Sequence, residues 1–202
     1  LPLHKAKLFV MARTKDFDEG EVLNRAVCLF WQKGYNGTSM EDLVKTLKIS
    51  RSSLYDTYAD KRSLYLKALA YYQESGGARL TDVLTSTKPA KVKIKELLHL
   101  VTNDLLNDKQ HKGCFMVNAE VEVAPHDEKV KEIVRKNEEH IEETFRQVIQ
   151  AGQKSGEITD RQDARALARF LLNTVKGIRV SAKSTTDKTM FNDIIKTALS
   201  VL

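Results

Sequence analysis

The chain has 202 residues, of which 42% are apolar and 30% charged, with a formal net charge of +6. That is enough apolar material for one large domain or for a small head on a larger body. Two cysteines and no long apolar run argue against a disulfide framework, a signal peptide or a membrane span, so a cytoplasmic protein is expected; the positive charge is compatible with nucleic acid without specifying it.

Residues 1–10, LPLHKAKLFV, show no period that runs on into a helix, and the run from Met11 to Lys15 has the look of a natural start. Residues 1–10 are therefore expected to be an added or upstream extension, with Arg13 and Lys15 forming a short basic arm. A first helix is predicted over 19–33. Asp18 and Glu21 have the spacing of a capping box, Phe17 and Val22 that of a hydrophobic staple, and Gly34 suits a left-handed C-terminal position. Val22, Ala26, Leu29 and Phe30 share one side, widened by Leu23, Val27 and Trp31, and Cys28 is expected to be a small buried hydrophobe within this stripe.

The segment from Thr38 to Lys61, TSMEDLVKTLKISRSSLYDTYADK, carries the strongest signal. Ser39 with Asp42, Ser50 with Ser53, and Asp60 before Lys61 are three helix caps in close succession. Leu43, Val44 and Leu47 form an apolar stripe, and Ile49 supplies the apolar residue of the turn. Residues 39–58 thus read as a helix-turn-helix. Its second helix, about 51–58, buries Leu54 and turns Arg51, Ser52, Ser53, Tyr55 and Thr57 outward. In a DNA-binding motif of this kind the second helix enters the major groove and its first residues meet base edges. Arg51 can donate two hydrogen bonds to a guanine, Ser52 and Ser53 can reach base or phosphate, and Tyr55 and Tyr58 can aim a hydroxyl at phosphate. Lys61 stands at a helix N-terminus, a site for anions. With Ser39, Lys48 and Ser50 these residues make up the expected DNA-binding set. The competing reading of the bare pattern is a helical hairpin whose polar faces are only solvated.

Phe17 and Asp18, Phe30, Gly34 and Tyr35, Thr38 and Ser39, Asp42 and Leu43, Ile49 and Ser50, Leu54 and Tyr55, Tyr58, Lys61 and Leu64 agree in order and spacing with one known pattern. Over residues 16–65 the chain resembles the N-terminal domain of the TetR family of bacterial repressors. It departs at Lys48, where the family usually has glycine in the turn, and at Tyr58, where phenylalanine is common. Lys48 is therefore expected at a positive φ. The resemblance implies an all-α protein: a three-helix DNA-binding head with the helix-turn-helix over 11–63, and a larger helical body over 64–202 that binds an effector and dimerises.

Beyond Asp60 the pattern is helical throughout. Helices are predicted from Lys61 to about Ser75, briefly within 78–90, from Pro89 along Ile94, Leu97, Leu98, Val101 and Leu105, from Asp127 to Lys154, over 160–183 and over 187–202. Residues 114–124 alternate in part like a strand, but a lone strand has nothing to pair with, so a short buried helix is expected there. In the last two helices Leu167, Leu171, Val175, Gly177, Ile178, Phe191, Ile194, Ile195 and Ala198 are the candidates for a four-helix interface with a second copy. The alternative is that they complete the core of one chain.

The effector is expected near 114–126. Asn118 and Glu122 stand four residues apart in an apolar helix, and a buried carboxylate needs a partner, either a ligand or a neighbouring group of the protein. Leu105, Phe115, Phe145 and Phe170 are candidate walls. Cys114, following Gly113 and near His111 and Lys112, is a further candidate, as a ligand contact or as a sensor of oxidants or electrophiles. A metal enzyme is the reading from another class: Glu96 and His99 form one Glu-x-x-His, but the second such motif is missing. The expectation is a regulator that is no enzyme and has no cofactor or metal, whose partners are double-stranded operator DNA, a second copy of the chain and a small effector of unspecified identity, without a membrane.

Overall fold

The computed structural model describes residues 17–76 and 78–202; the expected extension and basic arm lie outside them. Among the described residues every regular element is an α-helix: α1 (Glu19–Lys33), α2 (Met40–Leu47), α3 (Arg51–Tyr58), α4 (Lys61–Gly76), α5 (Ala78–Thr85), α6 (Ala90–Asn107), α7 (Phe115–Glu122), α8 (Glu128–Lys154), α9 (Ala164–Ser181) and α10 (Lys188–Ser200). None is long and apolar enough to cross a membrane.

Local chemistry sets most helix starts. Asp18 accepts from the Glu21 amide, Ser39 and Asp42 form a full capping box, and Ser50 accepts from the Ser53 amide. Asp127, Asp163 and Asp187 each take two amides at the starts of α8, α9 and α10. Each such cap satisfies donors that have no partner inside the helix. Lys48 ends α2 in the left-handed conformation, at φ 56° and ψ 36°, as the turn requires.

Burial falls into two clusters. The first joins α1–α4 to α7 and the start of α8, with Phe30, Tyr65, Phe115 and Val130 at its centre. The second is built from α6, the far half of α8, α9 and α10, around Ile94, Phe145, Leu171 and Phe191. The core of the helical head is therefore continuous with α7 and the start of α8, which pack against it from beyond residue 63. Cys28 departs from expectation, since it is exposed. Two residues past buried Ala26, it is rotated about 200° around the helix, away from the stripe.

The stripe along α9 and α10 is mostly internal. Leu167, Leu171, Val175, Ile178, Phe191, Ile195 and Ala198 are each at most 4% exposed within a single chain. They complete the second cluster, which corrects their assignment to an interface between copies. What α9 and α10 present outward is different: Phe170 at 42% exposure, Gly177, and half-buried Ile194 beside a shallow groove.

Candidate DNA-contacting surface and effector cavity

At the start of α3 the Ser50 hydroxyl lies 2.8 Å from those of both Ser52 and Ser53 while accepting from the Ser53 amide at 3.0 Å. Ser50 is thus used as the cap, and the outward polar groups are those of Arg51, Ser52, Tyr55 and, in part, Ser53 and Thr57. Arg51 forms no ion pair among the described residues, so its guanidinium is available to an external acceptor. The turn before α3 is braced from behind, because Arg25 of α1 donates to the Leu47 carbonyl at 3.1 Å. Lys45 and Lys48 are exposed on the same side.

Tyr58 does not belong to this surface. It is 1% exposed, and its hydroxyl is buried with no hydrogen-bond partner among the described residues, where burial pushes its pKa up to about 12. At the end of α3 it lies four residues past Leu54 and so faces the core with it. Lys61 also turns inward in part: its ammonium stands 4.4 Å from the Tyr35 ring centre. Arg62, at the start of α4, is drawn away to Asp127, with Nε–Oδ2 2.5 Å and Nη2–Oδ1 2.9 Å.

A cavity of about 620 Å³ opens between α4, α5, α6, α8, α9 and the start of α7. Its apolar wall comes from Leu84, Leu97, Val101, Met116, Ile133, Ile141, Phe145, Leu172 and Val175. The polar groups are Tyr72, Gln73, Asn137, Thr144 and Arg179, with Glu74, Asp82, Lys136 and His140 exposed around it. Of the expected pocket residues, Cys114 and Phe145 line it. Leu105 instead packs in the second cluster, Phe115 is enclosed between Tyr65 and Tyr72, and Phe170 lies on the outer face of α9. The pair that suggested the pocket serves other ends. Glu122 accepts from the Tyr35 amide at 2.9 Å and the Asn36 amide at 2.7 Å, and Asn118 donates to the Lys112 carbonyl and accepts from Lys183. Both are corrections: α7 packs against α1, and the amides of the turn that follows α1 take the carboxylate.

Cys114 is buried, and its sulfur lies 3.8 Å from the Tyr72 hydroxyl. Lys112, expected to favour its thiolate, bonds Asp108 and Gln110 instead. Glu96, the carboxylate of the Glu-x-x-His pattern, is held by Lys88 at 2.7 Å and 2.8 Å. Sequence reasoning missed Tyr72, Arg179 and the α8 residues other than Phe145 as pocket groups. Asn137 was visible as a polar residue within the apolar stripe of α8; Arg179 at the end of α9 gave no signal.

Residues 22–68 match the family described as bacterial regulatory proteins, tetR family, and residues 91–198 match the tetracyclin repressor-like C-terminal domain. Over 193 residues the chain is 34% identical to the HTH-type transcriptional regulator YezE of Bacillus subtilis, which covers 95% of this chain and 100% of that protein. It is 27% identical over 172 residues to the HTH-type transcriptional repressor ComR of Escherichia coli, covering 85% and 82%. Among solved structures, a cysteine-substituted form of the TetR family regulator CifR complexed with 26-bp double-strand operator DNA is similar with a TM-score of 0.82 at 28% identity, covering 93% of this chain and 98% of that one.

Proposed function

Because this chain belongs to the TetR family of DNA-binding transcriptional regulators, we propose that it is a homodimeric repressor that grips a palindromic operator through α3 and lets go when a small molecule fills the cavity. The observation that carries the DNA contact is the exposed start of α3, where an unpaired arginine and a cluster of serines are held out on a braced turn. ComR, a repressor by name, and CifR, solved on its operator, support the reading. One recognition helix reads few base pairs, so a twofold pair spaced about 34–36 Å apart is needed to address successive major grooves. The outward strip of Phe170, Gly177 and Ile194 supplies a surface through which α9 and α10 can pair with a second copy. The cavity bears on the head through α4, which begins three residues after α3 ends and contributes Tyr72 and Gln73 to the cavity wall.

Duplexes selected from a random pool by the full chain, followed by mobility-shift titration, test this. A palindromic consensus, bound by the native chain and at least about tenfold more weakly by Arg51→Ala, is expected from the loss of one bidentate base contact in each half-site. Selection of no duplex at low salt, or equal binding by Arg51→Ala, would sink the assignment of α3 as the reader.

A further inference from the structure

The cavity has a one-sided electrostatic character. Lys136 at its edge is paired with Glu132 at 2.7 Å, and Glu74 and Asp82 also line it, both exposed. Arg179 is different. It is half-buried in the last turn of α9, lines the cavity, and forms no ion pair or side-chain hydrogen bond among the described residues. Its neighbour in the wall is Tyr72, whose hydroxyl oxygen meets the Phe115 backbone amide and whose own proton has, among the described residues, only the Cys114 thiol to go to, a weak partner at 3.8 Å. Burial pushes the Tyr72 phenol up, so it stays a neutral donor, and the Arg179 charge acts upon it. Two donors, one of them charged, therefore line a largely apolar chamber, and among the described residues neither is paired with a carboxylate.

We propose that the effector is an apolar molecule bearing a single carboxylate, which Arg179 and the Tyr72 hydroxyl receive while its hydrocarbon part lies against Leu97, Val101, Ile133 and Phe145. This rests on the reading of the cavity as the effector site and names the class of compound it takes. A wholly apolar ligand would strip water from the guanidinium and return nothing, which is unfavourable for a charged group. A cationic ligand meets Arg179 directly. A dianion has one unpaired cation among the described lining residues to receive it, and the Glu74 and Asp82 carboxylates of the same lining repel it. The volume is within the range of roughly 300–1,000 Å³ typical of pockets that enclose small organic ligands.

The site also carries its own reporter. Trp31 of α1 is the single tryptophan, and its ring packs edge-on against Tyr72 with centroids 5.1 Å apart. A ligand that engages the Tyr72 hydroxyl moves the ring against which Trp31 rests, and so touches the head.

The test uses the full chain and three sets of probes: octanoic, decanoic and 4-phenylbutyric acids, their primary amides, and the matching alkylammonium ions. Binding is read from Trp31 emission and from thermal stabilisation. The acids are expected to shift both, and the amides and ammonium ions to do so at least about tenfold more weakly. Arg179→Gln is expected to weaken the acids about ten- to hundredfold while amide binding stays within about twofold, and Tyr72→Phe, which keeps the ring, to weaken the acids several-fold. Amides or ammonium ions binding as tightly as the acids, no acid binding up to about 1 mM, or an unchanged acid affinity in Arg179→Gln would overturn the proposal. Operator release is scored separately: acids that bind yet leave DNA bound would remove the regulatory reading of the cavity and leave its ligand class standing.

Discussion

Lys48 holds φ 56° on an exposed turn, a conformation that disfavours a side chain with a Cβ by about 1–2 kcal/mol. Lys48→Gly is therefore expected to leave stability unchanged or to raise it by up to about 1 kcal/mol in urea denaturation, since the greater freedom of glycine in the unfolded chain offsets part of the gain. Operator affinity should fall at the same time, because a cation beside α3 is lost. Gly34 shows the opposite case. At φ 78° a Cβ would stand 2.8 Å from one carboxylate oxygen of Glu122 and 3.0 Å from the other. Gly34→Ala should cost more than about 1 kcal/mol, through backbone strain and through displacement of the carboxylate from the Tyr35 and Asn36 amides. A Gly34→Ala variant as stable as the native chain would show that the Glu122 contact contributes little.

At the scale of elements, α7 and α8 fasten the head to the body. Lys176 of α9 bridges Glu120 of α7, at 2.6 Å, and Glu138 of α8, while Asp127 both caps α8 and clamps Arg62 at the start of α4. Arg62, with help from the α8 amides, holds the Asp127 carboxyl at about 2, below its ordinary 3.8. A depressed carboxylate contributes stability that is fully present above the ordinary value and is lost as pH falls from there toward about 2. Asp127→Asn keeps a capping oxygen and removes the ion pair. The variant is expected to be the less stable at neutral pH and to converge with the native chain below about pH 2, when both are followed by urea unfolding across the acid range. A gap that persists at the lowest pH would point to the cap rather than the pair.

For the whole molecule the decisive question is whether two copies meet through α9 and α10. Nothing lies within 4 Å of where a Cβ on Gly177 would sit, and Phe170 is 42% exposed, so changes at either place leave the interior of one chain intact. Phe170→Glu should therefore sediment as a folded monomer with an unaltered circular dichroism spectrum, and its operator affinity should drop by at least about a hundredfold, since two half-sites no longer bind as one. If Phe170→Glu remains a dimer, the partner surface lies elsewhere. Operator affinity of the native chain should also fall steeply with added salt, as phosphate contacts displace counterions.

The sequence by itself determined the all-helical fold, the first helix, the helix-turn-helix and most helix starts. Caps, breakers and apolar spacing act within a few residues, so Asp18, Ser39, Lys48 and Ser50 could be read without knowing what packs where. The outward set of α3 was legible for the same reason, except Tyr58, whose hydroxyl suggested a surface while its register with Leu54 placed it inside. Only the tertiary structure decided the rest. Glu122 is satisfied by amides 87 and 86 positions away, a meeting that no local spacing encodes. Helices α9 and α10 carry more apolar surface than one contact needs, and which part is interior depends on where α6 and α8 lie. The cavity is what remains where six helices fail to fill the space between them, so its chemistry comes from whichever side chains those helices turn inward, Arg179 and Tyr72 among them.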